Sequence, residues 1–143
     1  MKCLSLWQPY AKLIAEGVKT IETRSWATKY RGPLLIHAAR RWYPLDAEAA
    51  EHAKRFGIPV DKHSQRYGEI VAICELLWCI EIVGPPADQA EASFGNYTPG
   101  RYAWKLANIR KFAKPILCTG RQGLFNVPES YLEGATYVET QKR

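Results

Sequence analysis

The sequence predicts an α+β fold, a β-barrel with short helices at its openings. Three observations point there: several β-type runs punctuated by glycine and proline, few and short helical periods, and a length of 143 residues that suits one domain with its own core. The chain is 47% hydrophobic and 24% charged, which is a globular composition. No repeat, low-complexity tract or linker divides it.

Residues 4–7 make a short apolar strand, ended by Gln8-Pro9. Pro9 suits the first turn of a helix, and Tyr10, Leu13, Ile14 and Gly17 fall at i, i+3, i+4 and i+7, one face of a 3.6-residue period. Gly17 is a natural stop, since glycine takes the left-handed conformation that ends helices. A strand over 19–26 follows, with β-branching at Thr20, Ile21 and Thr23. After the turn Arg31-Gly32-Pro33, residues 33–39 read as a buried strand.

Residues 44–56 put Leu45, Ala49, Ala53 and Phe56 on one side of a helix. A polar connector spans 58–67, and 68–83 is a long β-type run stopped by Gly84-Pro85-Pro86. Residues 88–100 are loop or a short helical turn. In 101–107, Tyr102, Trp104 and Leu106 share one face and Ala103, Lys105 and Ala107 the other. A further strand over 109–118 is interrupted by Pro115, which requires an edge or a bulge. The tail from Glu129, covering 129–143, forms one helical turn and then frays.

Neither end carries a charged segment followed by an apolar one, and no apolar run approaches the ~18 residues that cross a bilayer. A soluble, cytoplasmic protein without membrane contact is the expectation. The cysteines Cys3, Cys74, Cys79 and Cys118 form no CxxC pair and have no histidine at ligand spacing, so reduced thiols and no metal site are expected.

Charge is distributed unevenly. Residues 19–43 and 101–128 together hold twelve bases and one acid, a balance of +11, whereas the remainder holds eight bases and thirteen acids, a balance of −5. If the fold joins the two blocks, one face attracts polyanions; the alternative is a solvated surface that keeps the protein soluble.

The stretch GVKTIETRSW concentrates the polar chemistry. On a strand, Thr20, Glu22, Arg24 and Trp26 share one face, which should line a wet cleft because such groups demand water or partners. Lys19, just past the helix stop, is placed to reach the same cleft, and Lys19 and Arg24 then flank Glu22. A surface ladder of neighbouring charges fits the residues equally well. His37 ends an aliphatic strand and is read either as a cleft residue or as a histidine satisfied by backbone. Trp26, Tyr102 and Trp104 are candidates for stacking on a base, with burial in the core as the alternative. Gly120-Arg121-Gln122-Gly123 offers exposed amides to a phosphate backbone, or is a plain turn.

The ordered segments SLWQPYAKLI, GVKTIETR, GPLLIHAA, GEIVAI, GRYAWKL and KPI followed by GRQGLFNV resemble the ASCH family, named for activating-signal-cointegrator homology and related to PUA domains. The resemblance runs from Cys3 to about Pro128, and the layout is similar to the branch of endothelial-overexpressed LPS-associated proteins. It implies a PUA-like barrel with a helix-flanked cleft that binds RNA, single-stranded or tRNA, or a modified nucleoside, without a cofactor. The family's signature residues fall on Gly17, Lys19, Glu22 and Arg24.

Some small bacterial members are amidohydrolases that deacetylate N4-acetylcytidine with a lysine, a threonine and a glutamate. Here Lys19 takes the first position, but Glu22 stands where those enzymes have threonine, and Asp88 and Glu91 both remain open for the distant glutamate. At least one other member is a ribonuclease. If catalysis occurs, Glu22 serves as base toward a water while Lys19 steadies negative charge. If it does not, Glu22 accepts from an exocyclic amine and the cations donate to carbonyl or phosphate oxygens. Arg24, Trp26, His37, Tyr102 and Trp104 then surround the ligand, and Arg40, Arg41, Lys105, Arg110, Lys111, Arg121 and Gln122 contact nucleic acid.

Overall fold

The structure, a computed structural model, describes residues 1–138. Its strands are β1 (Lys2–Gln8), β2 (Ile21–Arg24), β3 (Gly32–Trp42), β4 (Glu69–Glu81), β5 (Tyr102–Leu117), β6 (Leu124–Asn126) and β7 (Tyr137–Val138). Three helices accompany them: α1 (Tyr10–Ala15), α2 (Ala47–Arg55) and α3 (Gln89–Ser93). No helix among the described residues is long and apolar enough to cross a membrane.

The strands form one sheet in the order β2-β5-β4-β3-β1-β6, with β7 on the far half of β5. β1 and β3 run parallel; the other pairs are antiparallel. This sheet does not close, so the expected barrel is not formed. Closure would need a ladder between β1 and β2, and neither strand offers one. β6 covers only Lys2, Cys3 and Leu4 of β1, and β2 is four residues long and already paired to β5. Across the remaining interval the Arg24 side chain reaches over: its Nη2 donates to the Ser5 carbonyl at 2.9 Å.

The two strands expected over 101–107 and 109–118 are one strand, β5. Asn108, at φ 51°, sits where Glu75 opposes Ala107 and Ile73 opposes Arg110, so one extra residue is absorbed as a bulge and the strand continues. Asparagine tolerates this left-handed conformation better than most side chains. Pro115 lies in a second irregularity, between the pairs Ala72 with Lys111 and Ile70 with Ile116, where no ladder hydrogen bond needs its missing N–H. β2 starts at Ile21, not Lys19, because the amides of Val18 and Lys19 both donate to the Leu13 carbonyl and prolong the turn that ends α1. β3 runs past residue 39 to Trp42, held by Gln8 opposite Trp42. The short strands β6 and β7 were not expected from the pattern. The end of the tail, residues 139–143, lies outside the described residues.

Three apolar clusters hold these elements. Leu4, Leu6, Ile14, Leu34, Ile36, Leu76, Trp104 and Leu106 fill the face of the sheet beneath α1. Leu13, Val18, Ala49, Ala53 and Phe94 join the three helices. Cys3, Leu35, Ile70, Phe112 and Phe125 pack on the other face. α2 begins where the Asp46 side chain accepts from the Ala49 amide, and α3 where Asp88 accepts from the Glu91 amide, both ordinary N-caps. All four cysteines are free, and burial pushes the Cys74 thiol up to about 12.

The bulge gives a direct test. Asn108→Val forces a β-branched residue into the left-handed region and should destabilise the fold by about 1–2 kcal/mol. Asn108→Gly should remain close to wild type. Urea denaturation of the two variants distinguishes them.

Candidate nucleic-acid interface

The unclosed interval between β1 and β2 is a groove with two chambers. The larger, about 890 Å³, is lined by β1, the outer part of β3, and the loop 117–123 that follows β5. The smaller, about 500 Å³, is lined by β2, α1 and the segment after α3. Ser5, Trp7, Arg24 and Trp26 line both, so the chambers are continuous.

Glu22 faces the smaller chamber with a cation on each side. Arg24 Nε stands 3.1 Å from Glu22 Oε2, an ion pair whose N–H is not aligned as a hydrogen bond. Lys19 Nζ stands 3.7 Å from Glu22 Oε1. Lys19 itself is fully buried and does not line the chamber. Its ammonium donates to the carbonyls of Ile21 at 2.6 Å and Phe94 at 2.8 Å. The lysine therefore ties α3 to β2 and supplies charge behind Glu22. Glu91, also buried, accepts from both the amide and the hydroxyl of Thr20, at 2.8 Å each. Lys105 donates to the same Thr20 hydroxyl at 2.9 Å. Thr20 is thus turned into this lateral network, while Glu22, Arg24 and Trp26 face the groove.

His37 lies in the floor of the larger chamber. β1 and β3 are in register with Ser5 opposite His37, and Ser5 Oγ is 2.8 Å from His37 Nδ1. His37 Nε2 is 2.7 Å from the Cys118 carbonyl, which only accepts, so Nε2 carries the ring proton and Nδ1 receives the Ser5 hydroxyl. Burial lowers the His37 pKa below its ordinary 6.5, and Arg40 adds to that lowering, while the bond to Cys118 opposes it. The imidazole is therefore neutral near pH 7.

Arg40 lies against Gly68, whose φ of +71° and missing side chain let the guanidinium approach; a Cβ there would meet Arg40 Nη2 at 2.7 Å. Arg121 and Gln122 line the same chamber. Arg41 covers the exposed ring of Trp7 at 4.8 Å, and Trp7 stacks on Tyr43 at 5.7 Å, which builds an aromatic and cationic rim. Arg24, Trp26, His37, Arg40, Arg121 and Gln122 are thus brought to one groove, with Arg41 at its edge.

Other sequence candidates lie elsewhere. Trp104 is wholly buried, with its Nε1 donating to the Trp26 carbonyl at 3.3 Å and its ring edge-on to Trp26, so it presents no face to a ligand. Tyr102 packs against the main core without lining either chamber. Arg110 covers the Tyr137 ring at 3.8 Å, and Lys111 pairs with Glu16 at 2.5 Å on the α1 side. Lys105 is held by Thr20.

Sequence reasoning passed over Ser5, Trp7, Tyr10, Tyr43, Thr119 and Tyr131, all of which line the groove. A signal existed for the first two. In SLWQ, Ser5 and Trp7 alternate with Leu4 and Leu6, the pattern of a strand with only one face in the core.

Replacing Lys19 with methionine should destabilise the fold by about 2–4 kcal/mol, because two buried carbonyls lose their donor and Glu22 loses one of its cations; urea denaturation reads the loss. His37 contributes stability that is fully present above its unfolded pKa of about 6.5. Because its folded pKa is lower, that contribution is lost as pH falls from there through the folded value. His37→Gln should flatten this part of the stability profile, measured by thermal melts between pH 7.5 and 5.

A family model for the ASCH domain matches residues 4–116. Among curated proteins, human activating signal cointegrator 1 is 33% identical over 81 residues, 57% of this chain, and the mouse protein gives the same values. The match spans only 14% of the length of those relatives. Among solved structures, an ASCH protein from Zymomonas mobilis superposes with a TM-score of 0.58 at 16% identity, covering 96% of this chain and 97% of that one. A point mutant of the same protein gives 0.54 at 16%, covering 92% and 91%. At these identities the likeness establishes the fold, a mixed α+β sheet with few short helices. With the family model matching residues 4–116, most of its length, this chain belongs to the ASCH domain family.

Proposed function

We propose that the chain is an RNA-binding protein that holds a single-stranded segment in the β1/β2 groove. The carrying observation is the pair of connected chambers, one built around a buried carboxylate and the other around guanidinium groups. Glu22 accepts from an exocyclic amine such as that of cytosine, because a carboxylate has lone pairs and no proton to give. Trp26 and Trp7 offer ring faces to the base. Arg40 and Arg121, with amides of loop 119–123, take phosphate oxygens. A modified nucleoside carrying the same amine edge suits the same chamber. In this reading the protein acts in the cytoplasm, with a layout similar to the branch of endothelial-overexpressed LPS-associated proteins.

The hydrolase reading centred on Lys19 has less support. Its ammonium already donates to two carbonyls, which leaves it a positioning and charge-supplying group without access to a substrate.

Gel-shift titration of single-stranded RNA, tRNA and duplex DNA from 50 to 200 mM salt tests the proposal. Retention of single-stranded RNA should fall steeply with salt, and Arg40→Ala or Arg121→Ala should each weaken binding and reduce the salt slope by about one. Glu22→Gln should leave the slope unchanged and relax the preference for bases bearing an amine. Salt-independent retention, or no retention of any RNA, would sink the reading. Incubation with N4-acetylcytidine and labelled RNA checks the rival: product formed by wild type and lost in Lys19→Ala that circular dichroism shows to be folded would restore it.

A further inference from the structure

In the larger chamber three features coincide that RNA binding does not require. Ser5 Oγ is 2.8 Å from His37 Nδ1, and His37 Nε2 donates to the Cys118 carbonyl at 2.7 Å. This is a hydroxyl nucleophile, a base with its tautomer fixed, and a third group that fixes it, the arrangement that marks activated serines on unrelated folds. Gly120 then passes directly over the pair. A Cβ there would lie 2.6 Å from His37 Cε1, 2.9 Å from Nδ1 and 3.0 Å from Ser5 Oγ, so only glycine fits against the pair without displacing it. Among the described residues, no acceptor engages the backbone amides of Thr119 to Gly123, and Arg24 faces the same chamber. Donors for a developing oxyanion are therefore at hand.

We infer that Ser5 and His37 form a nucleophile and general-base pair that hydrolyses an acyl ester carried on a ribose hydroxyl of the bound RNA. The pair stands on its own geometry; the RNA-borne substrate rests on the binding function proposed above. In the first step the Ser5 oxygen bonds to the ester carbonyl carbon and its proton passes to His37 Nδ1. The bond from that carbon to the ribose oxygen breaks, and the ribose oxygen takes the proton back from His37. Water then attacks the acyl-serine, giving its proton to Nδ1; Ser5 leaves with that proton, and the carboxylic acid departs. Esters fit better than amides. The orienting group is a neutral carbonyl, and burial and the Arg40 charge both disfavour an imidazolium, so a leaving group that needs strong protonation is poorly served.

The test uses the full chain. It is exposed to a fluorophosphonate and to p-nitrophenyl acetate, with adducts located by peptide mass spectrometry, and to an RNA hexamer bearing a 3′-terminal O-acetyl ester. Wild type should acquire an adduct at Ser5 that is absent from urea-unfolded protein, and should release acetate from the hexamer. His37→Gln should lower the labelling rate by at least about 100-fold, and circular dichroism of that variant shows whether it has folded. Gly120→Ala should block labelling with no change in the sequence of the pair. No Ser5 adduct on folded wild type, or labelling of folded His37→Gln at the wild-type rate, overturns the inference even if the hexamer is retained in a gel. An adduct at Ser5 without retention or deacylation of the hexamer overturns the RNA assignment and its ester substrate, while the pair stands.

Discussion

Everything in the groove depends on how one guanidinium spans a sheet that does not close. Arg24 leaves β2, stands beside Glu22 and donates to the Ser5 carbonyl of β1. A strand ladder in that place would satisfy every amide and exclude any ligand. A side chain to backbone bond instead holds the two edges at a fixed separation and leaves the faces on either side open. Because one member of the bridge is charged, the bond is of the stronger, charge-assisted kind, worth about 1.5–3 kcal/mol where neutral ones contribute about 1. The geometry of both chambers is set there, since Ser5 and Arg24 border each of them.

Glu22 shows which electrostatic effect wins in the smaller chamber. A carboxylate taken out of water without partners is strongly disfavoured, yet Glu22 is 9% exposed. Two cations offset that desolvation, one from below the surface and one from the groove wall. Lys19 has no access to solvent and its position is determined by two carbonyls, so it acts as a fixed charge. Arg24 is the partner a ligand can displace or share. In the proposed reading, a base that donates to Glu22 meets an acceptor already fixed in place, with little reorganisation required on binding.

Much of this was legible in the residues. The register of a short strand placed Glu22 and Arg24 together, but the crowding of charge after a helix-ending glycine fitted a wet cleft and a surface ladder equally well, and Lys19, expected in the cleft, is buried behind it. The open sheet was not legible, because closure depends on where β6 and β2 end, and strands of three and four residues leave no measurable period. Trp104 was ambiguous for a different reason: alternation places it on a face but does not say whether that face meets water. The rest of the site comes from residues with no chemistry of their own. Gly68 and Gly120 matter because Arg40 and His37 lie against them, and that is a property of packing between segments 28 and 83 residues apart in sequence. The charge blocks overstated the rim: Arg110 and Lys111 belong to them but are engaged by Tyr137 and Glu16.

In the RNA-binding reading proposed above, the two chambers also divide affinity from selectivity. Arg41, at the rim, is exposed, so in that reading its attraction for phosphates is screened over about 8–10 Å at physiological salt and acts on encounter as much as on hold. Glu22, nearly dry, interacts at short range and through a specific hydrogen-bond direction. In that reading, a base without an amine leaves Glu22 with only its two cations and forfeits the added hydrogen bond, a difference of about 1–3 kcal/mol. In that reading, selectivity for the base resides in Glu22, and binding strength in the cations that meet phosphates and do not distinguish one base from another. The Arg24 bridge keeps the two coupled, because any shift of β1 relative to β2 changes the width of both chambers at once.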